Sequence, residues 1–67
     1  MEMQESIIET AGQIWNYLNE RGEVTTRKMQ KDLCLEDNMT FMGLGWLSRE
    51  DKINYQKKGA HTKVSLK

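Results

Sequence analysis

Five of the chain's ten basic side chains lie in its last stretch: Lys52, Lys57, Lys58, Lys63 and Lys67, with no Asp or Glu among residues 52–67. Clustered ammonium groups of this kind suit phosphate oxygens, which they meet as point charges rather than as readers of bases. Arg27 and Lys28 form a second basic pair, and Asn38 and Arg49 carry the donors and acceptors that base edges require. Arg27, Lys28, Asn38, Arg49, Lys57, Lys58 and Lys63 are therefore the candidate nucleic-acid-binding residues. Their charge is offset elsewhere. Residues 1–20 sum to −4, 21–35 to +2, 36–51 to −3 and 52–67 to +5, for a net charge of zero over 67 residues. A neutral chain neutralises few phosphates, so any such contact is expected to be weak and salt-sensitive. A second reading stands beside this one: lysines on an exposed strand also protect its edge from aggregation.

Other chemistry has little to work with. Cys34 and His61 are the only residues of their kinds, too few for a four-ligand zinc site. His61 has no Ser, Asp or Cys within local reach, and no phosphate loop or nucleophile–base pair is visible. No enzyme activity, cofactor, metal or small-molecule substrate is expected. A lone cysteine suggests a reducing cytoplasm and reads best as a small hydrophobe in a tight turn. The start, Met1-Glu2-Met3-Gln4-Glu5, lacks a signal-peptide core, and no apolar run approaches a membrane span.

Apolar spacing supplies the elements that must hold these side chains. Ile7, Ala11, Ile14 and Leu18 follow a helical period, widened by Ile8 and Trp15. Ser6 to Glu9 fits a capping box and Gly22 a left-handed stop, which predicts a helix over 6–21 after an unstructured 1–5. Thr25 or Thr26 can cap a second helix over 26–33, with Met29 and Leu33 facing inward. Cys34 to Asp37 forms a turn, with Asp37 as the expected cap of a third helix over 37–50. Beyond Lys52 the period changes to two: Ile53 and Tyr55, then Val64 and Leu66, predict strands over 52–57 and 62–66 around Gly59.

In the third helix Leu44 and Leu47 form the inward pair, with Thr40 and Gly43 on the same line. That phase leaves Phe41, Met42, Gly45 and Trp46 as an outward apolar strip, the candidate protein interface. A different phase would bury Phe41 or Met42. Exposed apolar strips mark interfaces, and Gly45 would let a second backbone approach. A core this small, without disulfide or metal, gains from self-association, so a homodimer is expected.

Ala11-Gly12-Gln13-Ile14-Trp15-Asn16-Tyr17-Leu18, Gly22-Glu23-Val24 and Leu44-Gly45-Trp46-Leu47-Ser48-Arg49-Glu50-Asp51-Lys52-Ile53 carry a resemblance that spans Ile14 to Leu66. Over that stretch the chain resembles the bacterial winged helix-turn-helix superfamily, and within it a group of small stand-alone members of uncharacterised function. The resemblance implies an α+β, mainly α, single domain over 1–67, with three helices followed by a β-hairpin wing. It also implies a double-stranded DNA partner and a role in transcription regulation. The third helix departs from that pattern, because only Asn38 and Arg49 offer base-reading groups. The alternative is a protein-interaction or homodimerisation module on the same scaffold.

Overall fold

A computed structural model describes the backbone from residue 3 and the side chains from residue 6. Helix α1 spans Met3–Arg21, strand β1 Val24–Thr25, α2 Thr26–Leu33, α3 Asp37–Arg49, β2 Ile53–Lys58 and β3 His61–Leu66. The expectation of an unstructured 1–5 lies outside the described residues for positions 1 and 2. From Met3 the chain is already helical, so Ser6 and Glu9 sit inside α1 and cannot cap it. The buried face of α1 is also rotated from the expected stripe. Thr10, Ala11, Ile14, Tyr17 and Leu18 are buried, while Ile8 and Trp15 are left on the flank.

Each helix ends through backbone geometry legible in its residues. Gly22 takes φ +78 and its N–H donates to Leu18 O at 2.8 Å, closing α1. The Thr25 hydroxyl accepts from Lys28 N–H at 3.2 Å and caps α2. Cys34 is left-handed at φ 55, with Leu35 N–H donating to Gln30 O at 3.1 Å and Cys34 N–H to Lys31 O at 3.2 Å. This is a Schellman stop made without glycine. The same pairing ends α3: Asp51 is left-handed at φ 60, Lys52 N–H reaches Leu47 O and Asp51 N–H reaches Ser48 O. The cap of α3 is Glu36 rather than Asp37, and it offers no side-chain bond. Instead the buried Thr40 hydroxyl donates to Glu36 O at 2.8 Å, and Asp37 accepts from the Gln30 side-chain amide.

The sheet has the order β1-β3-β2, all antiparallel. The hairpin is one residue longer at its tip than expected, with Lys58 paired to His61 across Gly59-Ala60. Gly59 takes φ +58 and Ala60 does not take a positive φ, the pattern of a type II′ turn. Strand β1 is the element sequence period missed. Two residues carry no periodicity, and Val24 and Thr25 become a strand only by pairing with Val64 and Lys63. Val64, with no exposed surface, is flanked by Val24 and Tyr55 at the centre of the sheet.

The core joins Ala11, Ile14, Tyr17 and Leu18 of α1 to Met29, Leu44, Leu47, Ile53 and Val64. Gly43 of α3 packs tightly against α1, where an added Cβ would lie 2.9 Å from Ile14 Cδ1 and from Thr10 Cγ2. Gly45 has open space around its Cα, so the close-approach glycine is Gly43.

A network built on Tyr17 ties α1 to α2. Its hydroxyl donates to Asp32 Oδ2 at 2.5 Å, the Arg21 guanidinium lies 5.2 Å from the ring centroid, and Lys28 Nζ is 3.5 Å from the same carboxylate. The hydrogen bond to Asp32, with burial, raises the Tyr17 phenol above its ordinary value; the same bond holds the Asp32 carboxyl below its own.

Candidate nucleic-acid interface

The expected basic residues divide among four places: the hairpin, the cleft, the α1 side of α2 and the end of α3. Lys57 and Lys58 are exposed at the hairpin tip, and Lys63 is half-buried on the central strand beside Thr25 and Gln56. Alternation along the strands puts Lys58, Gln56 and Lys63 on the outer face of the hairpin. Lys57 shares the inner face with Tyr55 and Thr62. A wing with cations on both faces can meet phosphates on either side of a groove.

Arg27 lies at a cleft of about 300 Å³ between the start of α2, the first turns of α3 and the hairpin tip. Thr25, Gln30, Asp37, Phe41 and Thr62 also line it. Lys28 is turned away, toward α1, and is paired with Asp32. Asn38 is exposed in the first turn of α3. Arg49 is in the last turn, its Cζ 5.9 Å from the centroid of the Trp46 ring. Eleven residues of helix separate Asn38 and Arg49 by about 16 Å along the axis. They cannot act on one base step, and Arg49 belongs with Trp46.

Phe41, Gly45, Met42 and Trp46 follow one another around the outward side of α3, none of them buried, with Phe41 and Trp46 at the two edges. Thr40, Gly43, Leu44 and Leu47 are buried, as their spacing implied, and Phe41 stays 63% exposed, which rules out the phase that would bury it. At 100° per residue, Phe41 and Trp46 lie about 140° apart around the helix. Phe41 faces the cleft beside the hairpin tip. Trp46 is half-buried on the opposite flank, packed against the core. It lines a groove of about 440 Å³ with Ile8, Trp15, Leu47, Glu50 and Lys52. Met42 is half-buried and Gly45 exposed between these two flanks.

Sequence reasoning did not single out Tyr55 as a surface group, since alternation placed it with the core. Its hydroxyl does donate inward, to Leu44 O at 3.1 Å, yet the residue is 47% exposed. Partial burial raises its phenol above the ordinary value, opposed by the neighbouring Ser48 hydroxyl. Among the described residues no group of His, Cys, Asp and Glu could hold a metal ion, and no helix is long and apolar enough to cross a membrane.

Three helices with a short strand after the first and a C-terminal hairpin closing an antiparallel sheet define a winged helix, a fold on which DNA binding is plausible. The chain belongs to the family described as Winged helix-turn-helix domain (DUF2582), which matches residues 1–66. It is 39% identical over 69 residues to the uncharacterized protein MJ1608 of Methanocaldococcus jannaschii, covering 98% of this chain and 97% of that one. The solution NMR structure of protein BT2368 from Bacteroides thetaiotaomicron superposes with a TM-score of 0.85 at 23% identity, over 97% of this chain and 79% of that chain. At that identity the likeness is one of fold.

Proposed function

We propose that this chain is a small cytoplasmic DNA-binding regulator whose contact with double-stranded DNA is made by charge through the wing. One observation carries the reading: strands β2 and β3 hold Lys57, Lys58 and Lys63 and no acidic residue, next to Arg27 at the cleft. Phosphate contact of this kind positions a protein without naming a sequence. The outer face of α3 offers little more than Asn38 for base edges, which fits that limit. Binding to a short duplex is expected to be weak, with log affinity falling by about 0.9 per phosphate contact as log salt rises. The double variant Lys57→Glu, Lys58→Glu is expected to abolish the shift in a gel or anisotropy titration. Unchanged affinity in that variant would remove the wing from the interface.

A second reading, self-association, is favoured by the groove between α1 and α3. Ile8 is 48% and Trp15 37% exposed on its rim. Glu50 and Lys52 also line it, opposite charges that a two-fold axis would bring into register with their mates. Because the groove and the cleft lie on opposite flanks of α3, pairing through one leaves the other open. Light scattering at micromolar concentration is expected to give twice the 7.9 kDa chain mass, and Ile8→Glu the single mass. A native chain of 7.9 kDa under those conditions would end this reading.

A further inference from the structure

The cleft beside the hairpin has chemistry that a duplex does not use. Phe41 is the most exposed large apolar side chain among the described residues, at 63%, and Tyr55 follows among the aromatics at 47%. Phe41 lines the cleft from α3, and Tyr55 reaches α3 from β2. The Tyr55 hydroxyl is tied to Leu44 O, three residues along α3 from Phe41, so this ring is held by its edge with part of its surface outward. Lys57 follows Tyr55 on the same face of β2, opposite Thr62, and Thr62 lines the cleft with Phe41 and Arg27. An exposed aromatic on α3, a second held to α3 by its hydroxyl, and cations alongside are what a strand of unpaired nucleotides requires: rings for bases to stack on and charges for the phosphates between them. Base edges inside a duplex need donors and acceptors, of which α3 presents few. The cleft also contains one acid, Asp37, whose carboxylate accepts from the Gln30 amide and offsets one of the cations.

We infer that Phe41 and Tyr55 form a stacking platform for unpaired bases, so that the chain prefers single-stranded DNA to duplex. This deepens the reading of the wing as a DNA contact and rests on it. Lys57 and Arg27 hold the backbone of the strand, and the rings take successive bases without regard to sequence, because every base presents a π-face.

Fluorescence anisotropy with labelled oligo-thymidine of about 12 nucleotides, within the usual span of such sites, and with the matching dA·dT duplex tests this. The native chain is expected to bind the single strand about tenfold more tightly than the duplex, the scale of one base stack. Phe41→Ala removes a solvent-exposed ring and is expected to bring the ratio close to one. Tyr55→Ala is expected to lower the ratio as Phe41→Ala does, and Tyr55→Phe, which keeps the ring but loses its tie to Leu44 O, to lower it less. Gly45→Ala, on open surface, serves as the folded control, and circular dichroism confirms the fold of each variant. Equal affinity for the two DNAs, a ratio untouched by Phe41→Ala, or tighter binding of oligo-uridine RNA would overturn the platform. In those cases loss of duplex binding in the Lys57→Glu, Lys58→Glu variant still upholds the charge reading. Failure of the native chain to bind either DNA would end both.

Discussion

Gly43→Leu is expected to destabilise the chain by about 3 kcal/mol or more, while Gly45→Ala, two residues on, is expected to stabilise it by about 0.5–1 kcal/mol. The two glycines look alike in the sequence and differ only in what faces them. A Cβ at 43 would already lie 2.9 Å from Ile14 Cδ1 and Thr10 Cγ2, with Ala11 N at 3.5 Å behind them. Ile14 is fully buried and Thr10 nearly so, which leaves little room to yield. A leucine there must push α1 away from α3, across the central contact of the core. Domains hold about 0.05–0.15 kcal/mol per residue, so a chain this short holds roughly 3–10 kcal/mol in all. Gly43→Leu therefore removes a large share of the total. At 45 nothing lies within 4 Å, and alanine gains helix propensity without a clash. Urea midpoints at constant slope give both values. The clash at 43 is partly with one methyl, so Ile14→Val should recover part of what Gly43→Ala loses, a coupling visible in a double-mutant cycle. A Gly43→Leu protein as stable as the native chain would mean that the helices do not approach there.

Met29→Ala is expected to cost about 2–5 kcal/mol, the range for emptying a filled core position. Helix α2 has eight residues, and Met29 is the one that is buried; Leu33 packs only partly against the core. The rest of the helix is polar. Its attachment to the sheet and to α1 depends on that single side chain, helped by the Tyr17–Asp32 hydrogen bond. Because α2 carries Arg27 to the cleft, loss of Met29 should weaken DNA binding in step with stability. Met29→Leu conserves volume and should stay within about 1.5 kcal/mol of the native chain. Thermal unfolding followed by circular dichroism separates the two. A small effect of Met29→Ala would place the docking of α2 in its polar contacts instead.

Much of the architecture was legible because it rests on local rules. The change of apolar period near Lys52 marked the passage from helices to hairpin. Thr25, one of the two threonines open as the cap of α2, Gly22 at the end of α1 and Gly59 in the turn each act through their own backbone or nearest neighbours. The inward line of α3 also followed from spacing, since Thr40, Gly43, Leu44 and Leu47 share one side of any regular helix. The start of α1 was not legible, because Ser6 and Glu9 can satisfy a capping pattern without being at a helix end. Asp37 was a plausible cap for the same reason, yet its carboxylate bonds to Gln30 while Thr40 secures the Glu36 carbonyl.

Composition and period by themselves determined the order of helices and hairpin, the basic wing and the inward line of α3, because each is a property of one segment. Contacts between segments decided the rest. Strand β1 exists through β3, and the buried Tyr17 finds the partner for its hydroxyl in Asp32 of another helix. Which glycine is crowded depends on Ile14 and Thr10 across the core. The two edges of the outward apolar arc of α3 met different neighbours, Trp46 the residues of α1 and Phe41 the hairpin tip. A helical period assigns each residue an angle about its own axis, and only the packing of other elements around that axis determines what each angle meets.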